Sequence, residues 1–331
     1  MYMWSRAISS VYLGVRAIGY RESMTNRVPY DEFGMFHENA AEYGLSFDTP
    51  PVVSRVFVTT DDGRRISALR WGTESPRIVF LHGGAQNAHT WDTVALALGV
   101  PLLCIDLPGH GHSDSAAPFD KTAAPLQQNA ADVARVITDL APDALGVVGM
   151  SLGGLTTLAL ARDCPALVRA MVLVDITPGV NQEKTKQITD FVNGPATFPS
   201  FEELLERTIQ FNPTRSVESL RRGILHNALQ REDGSWVWRY RRDDAPALPE
   251  VDGKIERPST ASLWDAVQHF GKPLMFVRGM RPQSVVTDED EAELRKRASS
   301  VRVEHVKEAG HSVQGDTPLE LAALIADFLG L

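Results

Sequence analysis

The sequence predicts an α/β fold in which a mostly parallel central sheet carries helices on both faces. Short apolar runs rich in Val, Ile and Leu alternate with helical patterns along most of the chain, as in parallel strands joined by crossover helices. This alternation stops after Asp175 and resumes near Lys272. The interruption indicates a segment inserted between two sheet-forming parts of the chain.

The first half of the chain contains six predicted strands. SRVFVTT and RRISALRW, joined by DDG, are expected to form a hairpin because Asp-Gly favours a tight turn. RIVFLH, PLLCID, ALGVVGM and LVRAMVLVDI are continuous apolar runs, typical of buried parallel strands. Helical patterns lie between them in WDTVALAL, in residues 125–140 and in LGGLTTLALAR. Strand and helix therefore alternate as a sheet covered on both faces requires.

Residues 177–262 break the alternation with a polar, helical pattern, clearest in FEELLERTI and VESLRRGILHNAL. We therefore predict a helical cap inserted after the sixth strand. Alternation returns with the strand KPLMFVRG, the helix DEDEAELRKRA, the strand VRVEHV and the helix DTPLELAALIADFL. The predicted core comprises residues 51–176 and 263–331, and residues 1–50 are expected to form a helical N-terminal extension.

Composition excludes several classes of protein. The 331 residues carry a net charge of -9, with 43% apolar and 23% charged residues, proportions typical of a globular chain. An acidic chain with only short basic clusters is a poor partner for a polyanion, so no nucleic acid is expected. Cys104 and Cys164 form no CxxC pair, so the cysteines predict neither a disulfide framework nor a metal site.

The first 20 residues contain an apolar run that Arg6, Ser9, Ser10 and Arg16 interrupt. The run is too short to span a bilayer, and no small-x-small cleavage site follows it. We predict an amphipathic helix packed on the body, no stable membrane insertion, and a cytoplasmic location.

Ser151 stands in the sequence GMSLG, between the predicted strand ALGVVGM and the helix LGGLTTLALAR. A sharp strand-to-helix turn strains its central residue, and side chains two positions away on either side would collide. Glycine at positions 149 and 153 removes the collision and lets Ser151 Oγ project above the sheet. A helix N-terminus directly after the serine favours developing negative charge. The pattern predicts a nucleophile elbow rather than an ordinary serine.

A serine nucleophile needs a base, and His311 is the predicted one. His311 lies in KEAGHSV, after the last predicted strand, and therefore at the same carboxyl edge of the sheet as Ser151. His82 is expected to brace its own loop. His110 and His112 belong to a turn-rich loop and are weaker candidates for the base.

Acyl transfer also needs hydrogen-bond donors for the oxyanion. The backbone N–H of Leu152, directly after the nucleophile, is predicted to be one of them. The other is expected from the loop after RIVFLH, where two glycines leave room for a substrate. Gly84 is the preferred donor there, and Ala85 is the alternative.

Four segments together resemble the α/β-hydrolase superfamily, in its serine-nucleophile branch with an inserted cap. They are LHGG at 81–84, DLPGHGHSD at 106–114, GMSLG at 149–153 and EAGHS at 308–312. The resemblance covers the chain from about Val52 onward. It implies Ser151 as nucleophile, His311 as base, backbone donors at Leu152 and Gly84, a cap over the site, and hydrolysis without a cofactor.

The position of the acid in the predicted Ser-His-acid catalytic triad departs from the family pattern. The resemblance places it within a few residues of the strand PLMFVRG, where MRPQSVV holds no carboxylate. A variant of the pattern takes the acid from the end of the preceding strand, which is Asp175 here. A buried aspartate at that point needs a hydrogen-bonding partner, and a histidine N–H would supply it. Asp175 is the preferred candidate, while Asp288, Asp290 and the absence of any carboxylate partner stay open.

These parts predict a serine hydrolase of carboxylesterase type with a small-molecule substrate. Carbon–carbon bond hydrolysis and lactone hydrolysis would use the same residues and stay open as alternatives. A different class of protein is also an alternative: a small-molecule binding protein that keeps the fold but does not turn over a substrate. Only the missing carboxylate after PLMFVRG favours it. Met150, beside the nucleophile, and Trp91 are predicted to face the substrate pocket.

Overall fold

An eight-stranded sheet organises the computed structural model of the chain. The structure describes residues 27–115, 125–180, 183, 185–240, 250–251, 254–255 and 261–331. The amphipathic helix predicted at the N-terminus lies outside the described residues. No described helix is long and apolar enough to cross a membrane.

The strands agree closely with the apolar runs in the sequence. They are β1 (Val53–Thr59), β2 (Arg65–Trp71), β3 (Ile78–Leu81), β4 (Leu102–Ile105), β5 (Gly146–Met150), β6 (Met171–Val174), β7 (Thr197–Phe198), β8 (Ala228–Gln230), β9 (Trp236–Trp238), β10 (Glu250–Val251), β11 (Lys254–Ile255), β12 (Leu274–Gly279) and β13 (Arg302–Val306). The strand β5 and the core of β6 are fully buried, which explains why their sequences lack the alternation of a half-exposed strand.

The helices occupy most of the intervals between the strands. They are α1 (Phe36–Tyr43), α2 (Asp92–Leu98), α3 (Pro125–Leu140), α4 (Leu152–Asp163), α5 (Lys186–Val192), α6 (Phe201–Phe211), α7 (Val217–Asn227), α8 (Ala261–His269), α9 (Asp288–Arg297), α10 (Val313–Asp316) and α11 (Pro318–Leu329). In α3 the buried residues recur every three or four positions, which is the spacing that puts them on one face.

The large sheet has the strand order β1-β2-β4-β3-β5-β6-β12-β13. The strand β2 is antiparallel to both β1 and β4, and the remaining neighbours are parallel. The predicted mostly parallel sheet is therefore confirmed. In this register Met150 is paired with Val174, so Ser151 and Asp175 follow neighbouring strands at the same edge.

Apolar side chains fill both sides of the sheet. One side packs residues of α3, α4 and α8 against it, including Val136, Leu160 and Val267. The other side packs residues of α1, α2 and α11, including Val94 and Ile325. Helices on both faces agree with the prediction and leave the loops at the carboxyl edge as the exposed place for chemistry.

The segment between β6 and α8 was predicted to be helical, and it contains strands as well. The helices α5, α6 and α7 are joined by a three-stranded antiparallel sheet in the order β7-β9-β8, and β10 pairs with β11. These strands have two or three residues each, too few to show a period of two in the sequence. The boundaries of the cap and of the core stay predictions.

The helix α1, within the predicted N-terminal extension, packs between the body and α7. Its Phe36 ring lies 4.8 Å from the ring of Trp71 in β2. Its Glu38 pairs with Arg221 of α7 at 2.5 Å, and Glu42 pairs with Arg222. This helix therefore ties the segment after β6 to the sheet.

Candidate active site

Ser151 occupies a strained turn between β5 and α4. Its φ of 50° and ψ of -117° lie outside the regions that side-chain-bearing residues prefer. A Cβ at Gly149 would lie 2.5 Å from the Gly153 carbonyl oxygen, and a Cβ at Gly153 would lie 2.2 Å from the Leu81 carbonyl oxygen. Both glycines are therefore required by close backbone contacts. The Ser151 side chain makes no capping hydrogen bond to α4, so its Oγ is not used by the helix.

Asp175 and His311 are in direct contact. His311 Nδ1 lies 2.9 Å from Asp175 Oδ2, and the carboxylate is fully buried. Asp175 has a φ of 48°, in the left-handed region that Ser151 and Ala85 also occupy. An imidazole held at Nδ1 by a carboxylate has a fixed tautomer and leaves Nε2 for proton transfer.

The last residue of β12 and the loop after it supply further donors to Asp175. The Gly279 N–H donates to Oδ1 at 3.0 Å, the Ser284 hydroxyl donates to Oδ1 at 2.6 Å, and the Val285 N–H donates to Oδ2 at 3.1 Å. The position where the family pattern expects the acid therefore holds hydrogen-bond donors for an acid on the neighbouring strand. These contacts satisfy a buried carboxylate that would otherwise be costly.

The two other candidate acids are engaged elsewhere. Asp290 forms a capping box with Thr287 at the start of α9, its Oδ2 accepting the Thr287 N–H at 2.9 Å. Asp288 pairs with Arg278 at 2.8 Å. The structure therefore brings Asp175, and neither of these residues, to His311.

Ser151 and His311 share no hydrogen bond among those of the described residues. His311 Nε2 has no hydrogen-bond partner within that part of the chain. The contact between nucleophile and base is often long without a substrate and shortens in the reacting complex. The role of His311 as the base for Ser151 stays a prediction.

The N–H groups of the loop after β3 differ in their hydrogen-bond partners. The Gly83 N–H donates to Gln86 Oε1 at 3.1 Å, and the Ala85 N–H donates to His110 Nε2 at 3.2 Å. The Gly84 N–H has no partner among the described residues, and Gly84 is exposed. The N–H of Leu152 opens α4, where the first turn of a helix leaves its donors without helical partners. Both predicted donors are therefore unengaged within the described residues, and their role toward an oxyanion stays a prediction.

Histidines brace this loop. His82 Nδ1 lies 2.7 Å from the Gly83 carbonyl oxygen, and His82 Nε2 accepts the Leu107 N–H at 2.9 Å. Burial lowers the pKa of His82 to about 3, so the ring stays neutral. His82 thus ties the ends of β3 and β4 together, which is its predicted bracing role.

Sequence reasoning missed two residues that hold the site in place. His110 was considered only as a weak candidate base, and its bond to Ala85 depends on a tertiary contact that no local pattern indicates. Ser284 could have been found from the sequence, because it lies in the segment where the family pattern places an acid and this chain has none. A missing acid next to an acid candidate on the adjacent strand points to such a donor.

A cavity of about 170 Å³ lies beside the site. It is lined by Gln86 of the Gly84 loop, by Ser312 next to His311, and by Phe191 and Trp238 of the segment after β6. Met150 and Trp91, predicted to face a pocket, do not line this cavity. Both are buried in the core, with the Trp91 ring 4.9 Å from that of Phe80. Core packing accounts for their burial, and their pocket role stays a prediction.

A second polar cluster, His89, Asp92 and His226, borders the same cavity. Burial opposes a charge on His89, but Asp92 and Glu32 raise the pKa of His89 to about 9. Burial lowers the pKa of His226 well below its ordinary value. The His89 ring lies between the carboxylates of Asp92 and Glu32, and the His226 ring is stacked on it at a centroid distance of 3.7 Å.

Comparison with known proteins identifies related chains. The model of the alpha/beta hydrolase family matches residues 78–324. Esterase Rv0045c of Mycobacterium tuberculosis is 44% identical over 306 residues, which cover 90% of this chain and 96% of that protein. The 3-hydroxybutyrate-oligomer hydrolase of Cupriavidus necator is 27% identical over 80% of this chain and 93% of its own length.

Solved structures show the same relationship. A structure of the M. tuberculosis esterase, reported with its transition metal inhibition, has a TM-score of 0.75 and 42% identity. The alignment covers 92% of this chain and all of that one. The thioesterase domain from the curacin biosynthetic pathway has a TM-score of 0.67 at 22% identity over 83% of this chain and 99% of its own, a likeness of fold alone.

Proposed function

Because the chain belongs to the alpha/beta hydrolase family, we propose that it is a serine hydrolase of carboxylesterase type acting on a small-molecule ester. The relative that is named an esterase supports this reaction class, since it aligns over nearly the whole chain. The single observation that carries the proposal is the contact of 2.9 Å between His311 Nδ1 and the buried Asp175, at the sheet edge where Ser151 forms a strained turn.

In the proposed mechanism His311 Nε2 takes the proton of Ser151 as its Oγ attacks the ester carbonyl carbon. The N–H groups of Leu152 and Gly84 bind the oxyanion of the tetrahedral intermediate. His311 then gives its proton to the leaving alcohol, and an acyl-enzyme remains. Water, deprotonated by His311, then attacks the acyl carbon. The bond between that carbon and Ser151 Oγ breaks, His311 returns the proton to Oγ, and the acid is released.

Asp175 fixes the ring of His311 and stabilises the imidazolium that forms in each half of the reaction. Its own hydrogen bonds to Gly279, Ser284 and Val285 keep the carboxylate from turning away. The adjacent cavity is lined by many polar side chains, such as Asn87 and Asn212, as well as by Phe191 and Trp238, so it suits an ester that carries polar as well as apolar groups.

A fluorophosphonate probe tests the proposal, because it labels only an activated serine. We expect rapid labelling of the wild type at Ser151, located by peptide mass, and loss of labelling in Ser151→Ala and His311→Ala. Exposed residues give matched controls, and Ser299→Ala and His269→Ala should label like the wild type.

A panel of esters, lactones and β-diketones then separates the reaction classes that share this machinery. The proposal predicts the highest kcat/KM on an ester. Turnover only on a diketone or only on a lactone would replace the esterase with that alternative. Saturable ligand binding without labelling or product, unchanged in Ser151→Ala, would favour a binding protein instead.

We also propose that transition metal ions inhibit this chain, as is reported for the M. tuberculosis esterase. Loss of ester turnover on titration with Zn²⁺, and its return on addition of a chelator, would support this second proposal. Full activity at millimolar Zn²⁺ would overturn it.

A further inference from the structure

An arginine without an acidic partner lines the cavity beside the proposed triad. Arg215 lies between α6 and α7, in the segment after β6. It lines the cavity of about 170 Å³ that Gln86 of the Gly84 loop and Ser312 also line. Among the described residues, no carboxylate forms an ion pair with its guanidinium. A cation placed against a cavity normally has an anionic partner, so the missing partner needs an explanation.

Most of the hydrogen-bonding groups of Arg215 are unused. Its Nη2 donates to Ser219 Oγ at 2.5 Å, whereas its Nε is buried and has no hydrogen-bond partner among the described residues. Arg222, which lines the same cavity, also has a buried Nε without a partner in that part of the chain. A guanidinium carries five N–H groups in one plane, a geometry that fits the two oxygens of a carboxylate. The cavity therefore offers cationic donors to an anion.

The acids closest to Arg215 are engaged elsewhere. Burial lowers the pKa of Arg215, and the negative charges of Asp316 and Glu42 oppose this effect only in part. Asp316 accepts the Gly310 N–H at 2.8 Å, and Glu42 pairs with Arg222. A further negative charge in the cavity would therefore stabilise the guanidinium.

The charges of the lining favour an anion with a single charge. Among the described lining residues, Arg215 and Arg222 are the two arginines and Asp92 is the acid. Asp92 lies 2.8 Å from His89 Nδ1 and so has its own partner. Because Arg222 is already paired, one guanidinium remains for the ligand. One guanidinium matches a carboxylate, whereas a phosphate dianion would need further cations.

We propose that the substrate is an ester that also carries a carboxylate, and that Arg215 binds this carboxylate while the ester carbonyl lies at Ser151. The proposal rests on the proposed esterase function and names its substrate class. Gln86 and Ser312 line the cavity next to the Gly84 loop and His311, so one bound molecule can reach both Arg215 and the triad.

Gly315 defines where the Arg215 guanidinium lies. A Cβ at position 315 would lie 2.9 Å from Arg215 Cζ. Glycine therefore lets the guanidinium pack against α10, which begins two residues after His311. A methyl group at position 315 would displace the guanidinium without removing its charge.

Matched pairs of esters test for the carboxylate. Monoethyl esters of succinic, glutaric and adipic acids carry it on the acyl side, and acetate esters of short ω-hydroxy acids carry it on the alcohol side. Each ester is compared with its amide, in which a neutral carboxamide replaces the carboxylate. We expect kcat/KM to be about ten- to a hundredfold higher for the carboxylate in at least one pair, because hydrogen bonds to charged groups are strong. A ratio near one in every pair would overturn the proposal.

Substitution of Arg215 should abolish this preference. In Arg215→Gln we expect the ratio between carboxylate and amide to fall to within about threefold of one, mainly through a higher KM for the carboxylate. Arg215→Lys keeps the charge without the planar fork, and Gly315→Ala displaces the guanidinium, so both should show intermediate ratios. Since the ratio compares two substrates of one variant, a general loss of activity leaves it unchanged.

The matched control is Arg231→Gln, which makes the same charge change at an exposed position of the same segment. It should keep the wild-type ratio between carboxylate and amide. A wild-type ratio in Arg215→Gln, or an equal loss in Arg231→Gln, would overturn the role of Arg215. Circular dichroism and thermal melting establish that each variant is folded.

A binding measurement separates this proposal from the esterase function. Isothermal titration calorimetry of Ser151→Ala with monoethyl glutarate needs no turnover. We expect saturable binding, at least about tenfold weaker when Arg215→Gln is added, and equally weakened for ethyl glutaramate, the neutral amide. This binding without turnover of any ester by the wild type would overturn the esterase and leave the carboxylate site in place. Equal affinity for monoethyl glutarate and ethyl glutaramate would overturn the site.

Discussion

The carboxylate of Asp175 accepts four hydrogen bonds, from His311, Gly279, Ser284 and Val285. This number determines how a substitution of Asp175 would affect the site. An amide in its place cannot accept all four, because one of its two heteroatoms is a donor. The amide would also let His311 take the other tautomer, in which Nε2 carries the proton and cannot act as base.

We therefore expect Asp175→Asn to lower kcat for ester hydrolysis by about a thousandfold or more. Steady-state kinetics on the best ester, with circular dichroism to show that the variant is folded, checks this. The matched control is Asp288→Asn, whose carboxylate pairs with Arg278 at the protein surface. A rate within a few-fold of the wild type in Asp175→Asn, or a large loss in Asp288→Asn, would remove Asp175 from the triad.

Ser284 is expected to act as a positioning residue through Asp175. Ser284→Ala removes one donor to the buried carboxylate, which loosens Asp175 and, through it, the His311 ring. We expect kcat to fall about three- to tenfold with KM unchanged. Ser284→Thr keeps the hydroxyl and should recover most of the rate. A Ser284→Ala enzyme with the wild-type kcat would contradict this role.

Among single residues, the candidates that the sequence predicted are those recognisable from their neighbours in the chain. Ser151 is marked by its glycines, and His311 by its place after the last strand. His110 and Asn227 could not be predicted, because their contacts with the Gly84 loop join residues 25 and 142 positions apart in sequence. Only the folded chain brings such pairs together.

Among the elements, the connection from β5 to α4 depends on glycine at position 153. A methyl group there would meet the Leu81 carbonyl of β3, a backbone atom that cannot turn aside. We expect Gly153→Ala to lower the melting temperature by several degrees, because overpacking costs about 1–3 kcal/mol, and to reduce ester turnover.

Gly223 in α7 provides the opposite case for the same substitution. Nothing lies within 4 Å of a Cβ built at Gly223, and alanine in a helix is more stable than glycine by about 0.5–1 kcal/mol. Gly223→Ala should therefore melt slightly higher than the wild type. If the two variants melted alike, close backbone contact would not be the reason for glycine at position 153.

Elements long enough to show a period were predictable, and shorter ones were not. The helix α3 has the bounds given by its sequence pattern, residues 125–140. The strands β7, β8 and β9 consist of two or three residues within a polar segment, so tertiary pairing rather than local pattern defines them. Asp233 and Gly234 lie between β8 and β9, and an Asp-Gly pair is a local sign of a hairpin turn.

Acid stability of the whole molecule depends on carboxylates buried with basic partners. Burial opposes the charge of Glu291, but hydrogen bonds from Arg278, His305 and Arg295 outweigh it and lower the pKa of Glu291 to about 2. A carboxyl group whose pKa is lower in the folded state stabilises the fold above its unfolded pKa of about 4.5. This contribution, about 1–3 kcal/mol, is lost as the pH falls from about 4.5 to about 2.

We expect Glu291→Gln to melt several degrees below the wild type at pH 7, with the difference shrinking steadily between pH 5 and pH 3. Differential scanning calorimetry across this range measures it. Glu289→Gln makes the same charge change on the exposed side of α9 and should follow the wild type at every pH. A difference that stayed constant with pH would mean that Glu291 contributes through packing and not through its charge.

The contact between Asp175 and His311 joins residues 136 positions apart, with the whole segment after β6 between them. A chain emerging from the ribosome can complete β1 to β6 and the turn at Ser151 long before its base exists. Closing so long a loop is entropically expensive and belongs to the late steps of folding. On the proposed triad, the serine stays chemically silent in every unfinished or misfolded molecule. Completion of the fold is then the event that switches the hydrolase on.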